Sequence, residues 1–201
     1  MGEYGIPFEK STPYDVDTRV PFFARGPGVP AGATAAGIVS LMDVGATMLE
    51  LSGAVAPGVR TTDGRSLVPL LGAGGAPPQG WRSGVLVEHL GENNQWMSVC
   101  GWVFNASCAP APTPQQDPFY LIDGPQNTWA QWRVVNATHD FSYTEFRDVA
   151  RAPASAWTNW TELYLTGSDD WQGTNVAQGQ VQPAHSEELW RVASCALDTC
   201  P

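Results

Sequence analysis

Charge is scarce in this sequence. Asp, Glu, Lys and Arg make up only 15% of its 201 residues, too little to clothe long surface helices in polar side chains. The shortage falls on the basic side: 20 acidic residues stand against 10 basic ones, a formal charge of −10. That balance repels nucleic acid and anionic membrane surfaces, and mildly disfavours a long sulfated glycan. No basic start followed by an apolar run marks a signal peptide. The longest apolar region, 35–59, is broken by Asp43 and Glu50 and is no membrane span. No internal repeat supports a solenoid or propeller. A phosphate-binding loop, an H-E-x-x-H pair and a G-x-S-x-G elbow are all missing. The four cysteines, Cys100, Cys108, Cys195 and Cys200, lack the spacing and the histidine partners of a zinc site.

What the chain has instead is 21 glycines, 17 prolines and nine tryptophans. The first two predict loops and short strands, and the tryptophans argue against disorder. The cysteines fall in two close pairs and read as local disulfides, with three connectivities open in principle. Nearby N-x-S/T sequons at Asn105, Asn136 and Asn159 point to a secretory route. The length suits one domain, or the end of one domain followed by a small second one, and the second division fits better.

Taken in order, Gly2, Gly5 and Pro7 forbid a regular element, and Lys10 follows in a polar turn. Residues 20–24 form an apolar run ended by Gly26-Pro27-Gly28, read as a buried strand. A loop over 28–34 leads to a second short strand at 37–41. Asp43 is then expected to N-cap a helix that buries Val44, Thr47, Met48 and Leu51 and stops at Gly53. Asp63-Gly64 predicts a turn, with Leu67, Leu70 and Leu71 on a core face. The Gly/Ala/Pro-rich stretch before Trp81 is the linker candidate, at 73–80. The proline-rich 109–118 is a loop. Residues 131–135 and 141–146 alternate like half-buried antiparallel strands. Ser186 is expected to cap a last helix with Leu189, Val192, Ala193 and Ala196 along one face, its end pinned by Cys195 and Cys200.

The order of several blocks resembles the sulfatase family of the alkaline-phosphatase-like superfamily, in its N-acetylglucosamine-6-sulfatase and arylsulfatase form. The blocks are Gly2-Glu3-Tyr4-Gly5, Lys10, Tyr14-Asp15, Arg19-Val20-Pro21-Phe22, Arg25-Gly26-Pro27-Gly28, the segment from Ser40 to Leu49, Asp63-Gly64-Arg65-Ser66-Leu67-Val68-Pro69-Leu70-Leu71 and Trp81 to Glu88. Thr161-Glu162-Leu163-Tyr164 with Asn175-Val176-Ala177 resembles the family's E-L-Y-D-L-x-x-D-P-x-E-x-x-N-x-A signature, although Leu165 follows Tyr164 directly and Gly167-Ser168-Asp169-Asp170-Trp171 replaces the Asp-Pro turn. The resemblance implies an α/β fold: the C-terminal end of the catalytic domain over 1–72, a linker at 73–80, and a small α+β subdomain over 81–201 whose first strand is 85–88, an antiparallel sheet with a C-terminal helix.

It also implies chemistry. In the family the lysine matching Lys10 contacts the sulfate group, as a compact ammonium suits a tetrahedral oxyanion. The formylglycine nucleophile and the calcium carboxylates lie upstream of the matching region. The chain is therefore expected to be the C-terminal part of a sulfatase, with Met1 a gene-model start, no metal of its own and no activity alone. A sulfated carbohydrate or an aryl sulfate is the implied substrate. His89, at a strand end, is a substrate-contact candidate, with a surface or satisfied histidine the favoured reading, whereas His139 and His185 have no spaced partner. Cys108-Ala109-Pro110-Ala111-Pro112 imitates C-x-P-x-R but puts Pro112 where arginine is required. Adjacent carboxylates at Asp169-Asp170 and Glu187-Glu188 read as solvated. The alternatives are a phosphodiesterase or phosphonate hydrolase of the same superfamily, and a non-catalytic secreted glycoprotein that binds glycan or protein.

Overall fold

The computed structural model describes residues 11–90, 127–147 and 158–196. Lys10, Cys100, Cys108, Cys200, Asn105 and the loop expected at 109–118 lie outside them. The centre is an antiparallel four-stranded sheet in sequence order, β1 (Gly84–His89), β2 (Thr128–Val135), β3 (Asp140–Arg147) and β4 (Thr158–Tyr164). Its register sets one row straight across the sheet, Leu86 opposite Trp132, Trp132 opposite Tyr143, and Tyr143 opposite Leu163. Because strand side chains alternate between faces, that row and its neighbours Ala130 and Val134 form one apolar face. The helix α4 (Pro183–Ala193) packs on it through Leu189 and Val192, with Ala177 filling the edge.

Three short helices precede the sheet: α1 (Asp15–Thr18), α2 (Met42–Leu51) and α3 (Val68–Ala73). No helix among the described residues is long and apolar enough to cross a membrane. The strands expected at 20–24 and 37–41 are absent. A strand needs a neighbour for its N–H and C=O groups, none of the four strands pairs with these runs, and Val20, Phe22 and Phe23 stay exposed, Phe23 at 91%.

The helix at α2 is correct in place but turned differently from the expectation. Leu41 and not Asp43 is its N-cap, Met48 and Leu51 are exposed, and the buried side chains are Asp43 and Thr47. The reason is a polar junction. Asp43 Oδ2 accepts the Ser40 N–H (2.7 Å) and pairs with the Arg82 guanidinium, and its Oδ1 accepts the Arg65 N–H (2.8 Å). Thr47 Oγ1 accepts the Leu67 N–H (2.8 Å). Gly64 packs so closely under this turn that a Cβ would run into the Met42 carbonyl. Leu67 and Leu70 are buried as expected, whereas Leu71 is only half-buried.

Ser186 does not cap the last helix. Pro183, whose missing N–H suits a first helical position, starts it one turn earlier after Gln182, and Ser186 N–H already donates to the Gln182 carbonyl (2.9 Å). Gly74 ends α3 in the left-handed region (φ 59°). Beyond it Trp81 Nε1 donates to the Ile38 carbonyl (3.0 Å), so the residues entering β1 are tied back to the N-terminal part by Trp81 and Arg82 together.

Candidate functional site

Residues 11–15 cross the face of the sheet opposite α4. The Ser11 carbonyl accepts from Asn127 Nδ2 (3.1 Å) and Trp129 Nε1 (3.2 Å), and the Pro13 carbonyl accepts from Gln131 Nε2 (2.5 Å). Asp15 forms a two-pronged ion pair with Arg133, Oδ1 to Nε at 3.0 Å and Oδ2 to Nη2 at 3.1 Å. Asp15 N–H donates to Gln172 Oε1 (2.6 Å). Each contact falls two residues further along β2, at 129, 131 and 133, so this strap follows one strand face. It also explains why β2 and β3 are buried on both faces, where alternation alone predicts half-burial: Gln131 of β2 and Thr144 of β3 are each 1% exposed.

The strap's polar lining controls protonation. Burial pushes the Glu162 carboxyl up, against hydrogen bonds from Trp160 Nε1 (3.3 Å), Tyr164 and Tyr14 Oη (3.5 Å), and its Oε2 is buried with no partner among the described residues. Tyr164, edge-on to the Tyr14 ring at 6.0 Å, is raised by burial and by the Glu162 charge. Asp140 is partly desolvated, which works upward, but hydrogen bonds from Thr166 (2.5 Å) and Arg133 (2.7 Å) outweigh it and hold its pKa below the ordinary value.

The Glu-Leu-Tyr triplet thus splits by strand alternation: Leu163 enters the helix-side core while Glu162 and Tyr164 grip Tyr14. Asn175 completes the signature. Its Oδ1 accepts from Leu163 N–H (3.0 Å) and Ala177 N–H (3.0 Å), and its Nδ2 donates to the Thr161 carbonyl (3.0 Å), so one side-chain amide imitates a fifth strand along the outer edge of β4.

His89 ends β1 at the same end of the sheet as Ser11. It stacks on Trp129 with ring centroids 5.6 Å apart, and Trp129 is the residue that holds the Ser11 carbonyl. A transverse row of His89, Trp129, Phe146 and Trp160 marks this end. Ser11 itself is a non-glycine residue at φ 48°, a conformation that costs about 1–2 kcal/mol and recurs where function fixes the backbone. The structure therefore brings the residue after Lys10 and His89 to one place. His139 and His185 are elsewhere, around Phe141 at the far end, and burial holds His185 below the ordinary imidazole value. Cys195 is disulfide-bonded. Asn136 is exposed in the β2–β3 turn, and Asn159 belongs to β4. Among the described residues no group of three or more His, Cys, Asp or Glu side chains is arranged to hold a metal ion.

The Asp15–Arg133 pair and the buried Glu162 were not singled out from sequence as interacting groups. Their signal was present, since Asp15 and Glu162 both lie in blocks of the family-like order, but 118 residues separate Asp15 from Arg133 and no local pattern links them.

No family model matches the chain. Human N-acetylglucosamine-6-sulfatase is 30% identical over 203 residues, which is 99% of this chain and 34% of that protein. The Drosophila melanogaster extracellular sulfatase SULF-1 homolog is 37% identical over 92 residues, 45% of this chain and 8% of that protein. A solved structure, BT4656 in complex with its substrate D-glucosamine-2-N,6-O-disulfate, aligns with a TM-score of 0.48 and 17% identity over 81% of this chain and 24% of that one. The chain spans about a third of the length of the N-acetylglucosamine-6-sulfatases it matches from end to end.

Proposed function

Because the chain belongs to the sulfatase family over the third of its relatives' length that it spans, we propose that it is part of a sulfate-ester hydrolase of the N-acetylglucosamine-6-sulfatase or arylsulfatase type. The observation that carries this reading is the end-to-end match, 99% of the chain at 30% identity. In it Lys10, the only lysine of the sequence, contacts the sulfate group and offsets charge on the sulfuryl oxygens. His89 flanks the substrate. Support comes from the strap: the carbonyl next after Lys10 is fixed on Trp129, which also carries the His89 ring.

Formylglycine supplies the nucleophile in this family and calcium polarises the sulfate. Among the described residues no group of three or more His, Cys, Asp or Glu side chains is arranged to hold a metal ion. What this chain contributes is positioning. The Asp15–Arg133 pair and the Tyr14–Glu162–Tyr164 contacts lock residues 11–15, the strap that begins directly after Lys10. In this reading the sulfated carbohydrate or aryl sulfate meets the smaller subdomain at the His89 end, the product passes through a secretory compartment, and the chain alone does not turn over.

The test has two parts. The transcript is sequenced upstream of Met1, where C-x-P-x-R or S-x-P-x-R is expected, and its full product is assayed on N-acetylglucosamine 6-sulfate and an aryl sulfate. Lys10→Ala in that product should lower kcat/KM by about 10²- to 10³-fold. Hydrolysis of phosphate diesters in preference to sulfate esters would overturn the reading, as would turnover by the 201-residue chain alone that Lys10→Ala leaves unchanged.

A further inference from the structure

The turn between β2 and β3 is made of Asn136-Ala137-Thr138-His139, all exposed. Asn136 N–H donates to the His139 carbonyl (2.8 Å) and closes it. The Asn136 side chain is oriented by three further bonds, because its Oδ1 accepts from Thr138 N–H (2.9 Å), His139 N–H (2.9 Å) and Thr138 Oγ1 (3.0 Å). Two of these donors are backbone N–H groups that can only donate, which identifies the accepting atom as oxygen. Nδ2 is therefore the outward atom, and it has no hydrogen-bond partner among the described residues.

We propose that Asn136 carries an N-linked oligosaccharide. The carboxamide is held rigidly by its oxygen with the nitrogen turned to solvent, and the hydroxyl two residues on lies against the same amide. An asparagine serving the turn alone needs only that oxygen. An independent observation puts the chain where such a modification happens: Cys195 is disulfide-bonded, and disulfides form in the oxidising secretory compartments in which glycosyl donors act. The turn projects from the end of the sheet, so a bulky glycan there displaces no core residue. In the transfer Nδ2 attacks the anomeric carbon of a lipid-linked oligosaccharyl pyrophosphate. The C–N bond forms as the C–O bond breaks, the lipid pyrophosphate leaves with the electron pair, and Nδ2 gives up one proton. Of the other sequons, Asn105 lies outside the described residues and Asn159 sits within β4, where the register with β3 shifts.

The experiment expresses the full chain behind a secretion signal in eukaryotic cells, recovers it from cells and medium, and maps glycosylated asparagines by peptide mass after peptide-N-glycosidase treatment. Asn136 should be recovered as the enzyme's Asp product. Asn136→Asp, which keeps an acceptor oxygen for the turn, and Thr138→Ala should each abolish the modification at residue 136 and reduce the apparent mass by one glycan, whereas Thr138→Ser should retain it. Recovery of unmodified Asn136 from chains in which Cys195 is oxidised would overturn the proposal, and so would an undiminished glycan count in Asn136→Asp.

Discussion

Asp43 shows how much one side chain can organise. It is fully buried, yet it serves the Arg82 guanidinium and the backbone N–H groups of Ser40 and Arg65, three points 42 residues apart at the extremes. Replacing it with alanine strands a buried guanidinium and two donors, a loss of about 3–5 kcal/mol. Urea denaturation should show this as a drop in the midpoint, and Asp43→Ala/Arg82→Ala together should cost less than the sum of the two single changes. Gly64 sits under the same junction. An alanine there meets the Met42 carbonyl, backbone that cannot step aside, and is expected to destabilise by about 1–3 kcal/mol in the same assay. From sequence Asp43 read as a helix cap, because a carboxylate before an apolar run has that local meaning. Its partners Arg65 and Arg82 are long-range and invisible to a local pattern.

Elements were legible where both faces of the argument were local. The strands β2 and β3 announced themselves by alternation, β1 by the family-like block over 81–88, and Leu189 and Val192 marked the inner face of α4 at helical spacing. The apolar runs at 20–24 and 37–41 misled because apolarity states a need for cover and says nothing about a pairing partner. Likewise α2 buries Asp43 and Thr47 and exposes Met48, a polarity inverted by hydrogen bonds to the 65–67 turn. Of the candidate site, the family-like order picked out the Tyr14-Asp15 segment and a strand-end position picked out His89, while the shared support on Trp129 emerges only in three dimensions. The edge of β4 offers a prediction of its own. Asn175→Ala removes three hydrogen bonds that close that edge and should cost about 2–4 kcal/mol. Hydrogen exchange should then rise selectively at Leu163 and Ala177, and uniform loss of protection across the sheet would contradict a local clasp.

For the molecule as a whole, two carboxyl groups on the strapped face respond oppositely to acid. Asp140 has a folded pKa below its ordinary 3.8, so its stabilisation is present above that value and is lost as pH falls through the folded pKa. Glu162 is raised above its ordinary 4.5 by burial, so its contribution is complete below 4.5 and is lost as pH rises through the folded pKa. Thermal melts of the wild type and Glu162→Gln should therefore diverge in favour of the variant as pH rises from about 4 to 7. A constant difference across that range would show that Glu162 does not titrate there. The strap itself carries a consequence for biosynthesis. Pro13 hydrogen-bonds Gln131, 118 residues later, and at about 5–20 residues per second a ribosome takes roughly 6–24 s to deliver that partner. Throughout that interval Tyr14 has emerged without the sheet that receives the strap, so the strap docks only after most of the chain has been made.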